Sequence, residues 1–130
     1  MDKKHQEQYQ EIARQFSENA AALQAIGDET RQHILLKMIE LSSRNEGGTR
    51  VGAITERTHL SRPAVSHHIK ILKDAGIVGV RTEGKKNYYY LTNENCKFTA
   101  LLALFENVMD LSRKLNEERQ AESAAADLQD

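Results

Sequence analysis

Cysteine is nearly absent. Cys96 stands alone in 130 residues, so no disulfide within the chain can staple the fold, and a reducing cytoplasm is the expected setting. Proline is equally scarce, with Pro63 the single example, and seven glycines leave few interruptions to long helices. Long apolar runs are missing too. No stretch approaches the ~18 uninterrupted apolar residues of a membrane-spanning helix, and the opening Met-Asp-Lys-Lys-His-Gln-Glu predicts a charged helix in place of the apolar core of a signal peptide. Nor are there catalytic signatures: no Gly-rich phosphate loop, no acid–base pair in a plausible cleft and no nucleophile paired with a base. The expectation is a protein without enzymatic activity and without cofactors, built as one domain.

What is present is an ordinary globular balance, 39% hydrophobic and 28% charged, with a net charge of -1. The near-neutral total hides an uneven distribution. Arg50, Arg57, Arg62, Lys70, Lys73, Arg81, Lys85 and Lys86 meet only Glu56, Asp74 and Glu83 between residues 50 and 90, a surplus of five positive charges. The rest of the chain is acidic. A basic centre between acidic ends points to a localised face for a polyanion.

The apolar spacing organises the chain. Tyr9, Ile12, Ala13, Phe16, Ala20 and Leu23 recur at three and four, predicting one amphipathic helix from about Glu7 to Ile26. Gly27 interrupts it, and Asp28 is suited to cap a second helix running to about Ser43, with Ile34, Leu35, Met38, Ile39 and Leu41 inward. Arg44 to Gly48 reads as an exposed loop, and residues 52–58 as a short helix carrying Ile54. Ser61 then caps a helix that has Pro63 in its first turn, where a missing N–H costs nothing, and that stops at Gly76. Beyond it the period changes from helical to alternating. Residues 77–82 and 87–91 predict a two-stranded hairpin with Lys85 and Lys86 at its tip. A last helix is expected from near Asn95 to Gln120, with Phe98, Leu101, Leu102, Phe105, Val108, Met109 and Leu115 on one stripe and Leu104 and Leu111 widening it. The reading is a single domain over residues 1–120, α-α-α-α-β-β-α, with residues 121–130 frayed or disordered.

A short helix, a tight turn, a second helix and a basic hairpin make a winged helix-turn-helix, mainly α with a small β-hairpin. A helix has the right width for the DNA major groove, where base edges are distinguishable. Projected at ~100° per residue, the 61–75 helix places Arg62, Ser66, Lys70 and Lys73 on one arc, with His67 at its edge. Val65, Ile69 and Leu72 fall opposite, joined by His68, which reads as a packed histidine. Adjacent histidines on a helix point about 100° apart, so they make a poor joint metal site. Arg81, Lys85 and Lys86 on the hairpin are placed to reach phosphates, which set register without reading sequence. Tyr88, Tyr89 and Tyr90 alternate across their strand, so two are expected to pack and one to remain free for a phosphate.

Three segments resemble the ArsR/SmtB family of bacterial winged-helix repressors: Leu23 to Leu35, Leu60 to Val78 and Gly84 to Leu91. With the flanking helices the resemblance covers nearly the whole chain. It implies a homodimer joined through its first and last helices, bound to double-stranded DNA at an inverted repeat. For this chain that places Ile12, Phe16, Phe98, Leu101, Leu102, Phe105, Val108 and Met109 at the dimer interface. The family's recognition contacts fall on Arg62, Pro63, Ser66 and His67, with Ser61 at the phosphate-facing cap. Arg62 and Pro63 depart from the small polar residues common there, and Arg62 is suited to bidentate pairing with guanine.

The larger departure concerns sensing. Metal-sensing members carry paired cysteines near the helix that opens the helix-turn-helix, whereas residues 53–58 contain none. Others use ligands on the last helix, but no histidine lies beyond residue 93. Glu106 and Asp110 are two carboxylates without a softer ligand, and His5, His33 and His59 are scattered. No metal site is therefore expected. Cys96 leaves open an intersubunit disulfide or sulfenic acid, or simply a small packed side chain. The residues name no small-molecule effector, and one need not exist. A winged-helix module that binds protein instead of DNA shares the fold but has no need of the basic face.

Overall fold

A computed structural model describes residues 1–42, 47–91 and 97–129. Its elements are α1 (Lys3–Glu18), α2 (Ala20–Ile26), α3 (Glu29–Ser42), α4 (Val51–Glu56), α5 (Arg62–Asp74), β1 (Val78–Glu83), β2 (Lys86–Leu91) and α6 (Lys97–Gln129). They form two compact units, Asn19–Thr99 and Met1–Glu18 with Ala100–Asp130. The helix-turn-helix and hairpin are as expected; the chain differs at its two ends. The predicted 7–26 helix begins earlier and breaks in the middle. Asp2 Oδ1 accepts the His5 backbone N–H at 2.8 Å, which caps α1 and starts it at Lys3. Asn19, at φ -106° and ψ 14°, leaves helical geometry and separates α1 from α2, so five helices precede the hairpin among the described residues. At the other end, α6 continues to Gln129 through residues expected to be frayed. Glu122-Ser-Ala-Ala-Ala-Asp contains good helix formers and no glycine or proline to stop it. Cys96 and Arg44 to Glu46 of the predicted loop lie outside the described residues.

In the 19–99 unit, α3 is fastened to α2 by its own first turn. Asp28 Oδ2 accepts the Arg31 backbone N–H at 2.9 Å, and that bond holds the Asp28 carboxyl below its usual range. The Arg31 side chain turns back, with Nε donating to Ala25 O at 2.7 Å, while Gln32 Nε2 donates to Ile26 O at 2.7 Å. The orphan carbonyls ending α2 are thereby satisfied by the residues that start α3.

Helix α5 lies at the centre of this unit, touching α2, α3, α4 and β1. Ser61 Oγ accepts the Ala64 N–H at 3.3 Å at its start. At its end Gly76 takes φ +81°, Gly76 N–H bonds Lys73 O at 3.0 Å and Ile77 N–H bonds Leu72 O at 2.9 Å. This paired closure requires a left-handed residue, so glycine ends the helix at little cost. Val65, Ile69 and Leu72 of α5 are fully buried, together with Ile34, Ile54 and Ile77. Each such side chain contributes about 1.5–3 kcal/mol. Ile39, expected inward, is 53% exposed. It lies one step outside the arc shared by Ile34, Leu35, Met38 and Leu41.

The hairpin pairs antiparallel from Val78↔Leu91 to Glu83↔Lys86. Gly84 at φ +61°, followed by Lys85 at negative φ, matches a two-residue turn of the kind that follows strand twist. Thr49 adds a bridge on the other edge of β2, giving and receiving hydrogen bonds with Tyr89 at 2.7 and 2.9 Å. The wing is consequently tied to the chain entering α4.

In the second unit, a polar seam joins α1 to α6. Gln8 Nε2 donates to Asn107 Oδ1 at 2.7 Å and to Asp110 Oδ2 at 2.9 Å, and Asn107 Nδ2 donates to Gln15 Oε1 at 3.0 Å. Lys114 pairs with Asp110 at 2.9 Å; it and Gln8 hold that carboxyl below its usual range. The single stripe expected on α6 is in fact two. Leu101, Leu104 and Leu111 are buried in the single chain, whereas Phe98, Leu102, Phe105 and Met109 are exposed. Ile12 is also buried. Ile12 and Leu101, expected at a dimer interface, are thus covered by the chain's own packing.

Candidate nucleic-acid interface

The turn between α4 and α5 is held by its own side chains. Thr58 Oγ1 donates to Thr55 O at 3.0 Å and accepts the Leu60 N–H at 3.3 Å. With one side of α5 buried, the outward side carries Arg62, Pro63, Ser66, His67, Lys70 and Lys73, all exposed, and Ser61 is exposed at the cap. This is the arc that the helical projection selects.

Arg62 and Ser66 line a polar groove of about 210 Å³ together with Arg50, Val51, Lys85, Asn87 and Tyr89. The recognition helix and the wing thus present basic and hydrogen-bonding groups to one opening. Among the described residues no carboxylate is paired with Arg50, Arg62, Lys85 or Lys86. Their charge is available to an external anion. Arg50 and Asn87 were not singled out in the sequence, because their place beside Arg62 and Lys85 depends on how the chain entering α4 and the wing come together, as they do at the Thr49–Tyr89 bridge.

Other predicted residues have local commitments. Lys70 Nζ pairs with Asp74 at 2.8 Å, which raises the lysine's pKa and lowers that of the acid. Arg81 is drawn furthest from its expected role. It is ion-paired with Glu83, donates from a terminal nitrogen to Gly47 O at 2.7 Å and stacks over Tyr88 at 4.6 Å. Register explains this. Arg81 sits opposite Tyr88, one strand face away from Asn87 and Tyr89. Arg81 therefore props the wing and does not line the groove. Tyr88 and Tyr89 are half-buried, and Tyr90 is exposed with its ring lying over Gly79, where a Cβ would come within 2.5 Å of it.

His68 is half-buried, with Nδ1 3.4 Å from an Arg31 nitrogen, in keeping with a packed histidine. His33 and His59 share an open depression with Glu29, Thr30 and Leu60. No described helix is long and apolar enough to cross a membrane.

Residues 28–80 match the bacterial regulatory protein, arsR family. An uncharacterized HTH-type transcriptional regulator of Methanocaldococcus jannaschii is 37% identical over 82 residues, covering 63% of this chain and 86% of that one. The transcriptional repressor SdpR of Bacillus subtilis is 36% identical over 67 residues, 52% of this chain and 68% of its own. Among solved structures, an ArsR-like transcriptional regulator from Rhodococcus sp. RHA1 superimposes with a TM-score of 0.67 at 21% identity, covering 84% of this chain and 94% of that one, a likeness of fold alone. The chain belongs to the ArsR family of DNA-binding transcriptional regulators, a family without enzymatic activity.

Proposed function

We propose that the protein is a cytoplasmic repressor that binds an inverted-repeat operator as a homodimer, each α5 entering a major groove and each wing flanking it. The observation that carries this reading is the shared groove. Arg62 and Ser66 on the helix and Lys85 and Asn87 on the wing face one opening without a neutralising acid. Arg62 is exposed in the first turn of α5, the part of a recognition helix that meets base edges, and its guanidinium fork fits guanine. Ser61, Pro63, Ser66 and His67 share that end. Lys70 and Lys73 extend the basic arc, and Lys85 and Lys86 neutralise phosphates. SdpR, a relative named as a repressor, supports the direction of regulation.

Selection of genomic fragments with the purified protein at ~0.15 M salt tests the reading, since non-specific phosphate binding is weakened there. Recovery of one inverted repeat is expected; recovery of no preferred sequence overturns it in favour of a protein-binding module. On the selected operator, Arg62→Ala is expected to cost about 1–3 kcal/mol per half-site and relax preference at one base pair. A uniform loss on all sequences would make Arg62 a phosphate-binding residue instead. Replacing Lys85 and Lys86 by alanine should flatten the dependence of log affinity on log salt by about 0.9 for each phosphate that is no longer neutralised. An unchanged slope would remove the wing from the interface.

A further inference from the structure

The three-residue cluster of Asp2, His5 and Glu118 lies in the unit made by α1 and α6. Each side chain offers a ligand atom, and those atoms all lie within 4.8 Å of one another. His5 is only 8% exposed, although it is two residues into the helix. Its Nε2 is 2.5 Å from Glu118 Oε1 and 3.7 Å from Asp2 Oδ2. Asp2 is oriented for this position, because its Oδ1 accepts the His5 backbone N–H at 2.8 Å and leaves Oδ2 toward the imidazole. The same bond holds the Asp2 carboxyl below its usual range. Nothing in the DNA interface uses these residues. Along the sequence His5 looks isolated, since its partner on α6 is 113 positions away.

We propose that Asp2, His5 and Glu118 bind one divalent transition-metal ion per chain, tying the first turn of α1 to the distal half of α6. One imidazole nitrogen and two carboxylate oxygens form a borderline donor set, suited to zinc, cobalt or manganese; calcium and magnesium prefer oxygen alone. With metal–ligand bonds of about 2.0–2.2 Å, donors around an ion stand roughly 3–3.6 Å apart. The Asp2–His5 spacing of 3.7 Å lies just beyond this range. The shorter His5–Glu118 contact is a hydrogen bond that the ion replaces, and Glu118, half exposed on a flexible side chain, can withdraw by the necessary distance. Two carboxylates beside one imidazole supply negative charge that a divalent cation can offset. A fourth position remains for water.

The full-length chain, stripped with a chelator, can be titrated with cobalt(II) chloride and followed by visible absorption, then challenged with zinc chloride. One cobalt per chain is expected, displaced by zinc, with binding weakened at least ~10-fold in His5→Gln and Glu118→Gln. His33→Ala, His59→Ala and Cys96→Ser should bind as the unaltered chain does. Zinc should also raise the melting temperature of the unaltered chain and not that of His5→Gln. Because Glu118 is exposed, Glu118→Gln keeps the test open if His5→Gln does not fold. Absence of cobalt binding, binding unchanged in both ligand variants, or binding that follows Cys96 would each overturn the proposal. No step of the test depends on DNA.

Discussion

Replacing Phe105 by aspartate is expected to turn the proposed dimer into monomers and to lower operator affinity by orders of magnitude. Phe98, Leu102, Phe105 and Met109 are 40%, 58%, 44% and 69% exposed and recur along α6 at spacings of four, three and four. They form one continuous apolar row, about 100° around the helix from buried Leu101, Leu104 and Leu111. A row of this kind, left open on a single chain, has the character of a protein–protein surface. In a two-fold dimer the same row is used by both protomers, so each substitution acts twice. Losing about 1.5–3 kcal/mol of burial per Phe105 gives roughly 3–6 kcal/mol per dimer, which weakens dimerisation by about 10²–10⁴-fold. The unpaired carboxylates add to that. Sedimentation equilibrium measures the dissociation, circular dichroism checks that the helices persist, and a half-site oligonucleotide shows whether the monomer still binds DNA by itself. A variant that stays dimeric at the unaltered concentration dependence would place the interface elsewhere. Phe16 on α1, also exposed, offers the second substitution at which to look.

How much of this was legible in the sequence depends on whether the signal was local. Helix α5 was readable because its cap, its first-turn proline, its terminal glycine and its apolar spacing agree within sixteen residues. The wing was readable from the change of period and from Gly84. The break at Asn19 was not, because Phe16, Ala20 and Leu23 keep helical spacing across it and periodicity does not register a single residue leaving helical φ and ψ. Helix α6 overran its expected end for the opposite reason, since nothing after Gln120 forbids a helix and alanines favour one. Its apolar positions were seen, but the split into a buried and an open row needs the neighbouring helix. Arg81 was misplaced because pairing register decides a strand residue's face. Arg50 and Asn87 share the groove because the chain entering α4 comes to lie beside the wing, and Asp2, His5 and Glu118 meet only when α1 lies along α6. For Arg81, the groove and the Asp2, His5 and Glu118 cluster the missing information was long-range.

The second large effect belongs to Leu72, and it separates folding from recognition. Leu72 is fully buried on the inner side of α5, and its carbonyl accepts the Ile77 N–H that closes the helix. Truncating it to alanine removes the branched end of the side chain from a site surrounded by α5's neighbours, with an expected loss of about 2–5 kcal/mol. For a unit of this size that corresponds to a melting temperature lower by roughly 4–8 °C per kcal/mol. The backbone hydrogen bond remains possible, so the loss measures packing alone. Leu72 does not line the groove, and its effect on DNA therefore passes entirely through the population of folded chains. Below the new melting transition, Leu72→Ala should keep the base preference of the unaltered protein and its salt slope, in contrast to Arg62→Ala and the Lys85 and Lys86 pair. Urea unfolding of Leu72→Ala, Ile77→Ala and the double variant would show coupling of about 0.5 kcal/mol or more if the two side chains support each other at the helix end, as touching residues typically do. A loss under about 1 kcal/mol in the single variant would mean that the site collapses around the smaller side chain, and that α5 is held mainly by Val65 and Ile69.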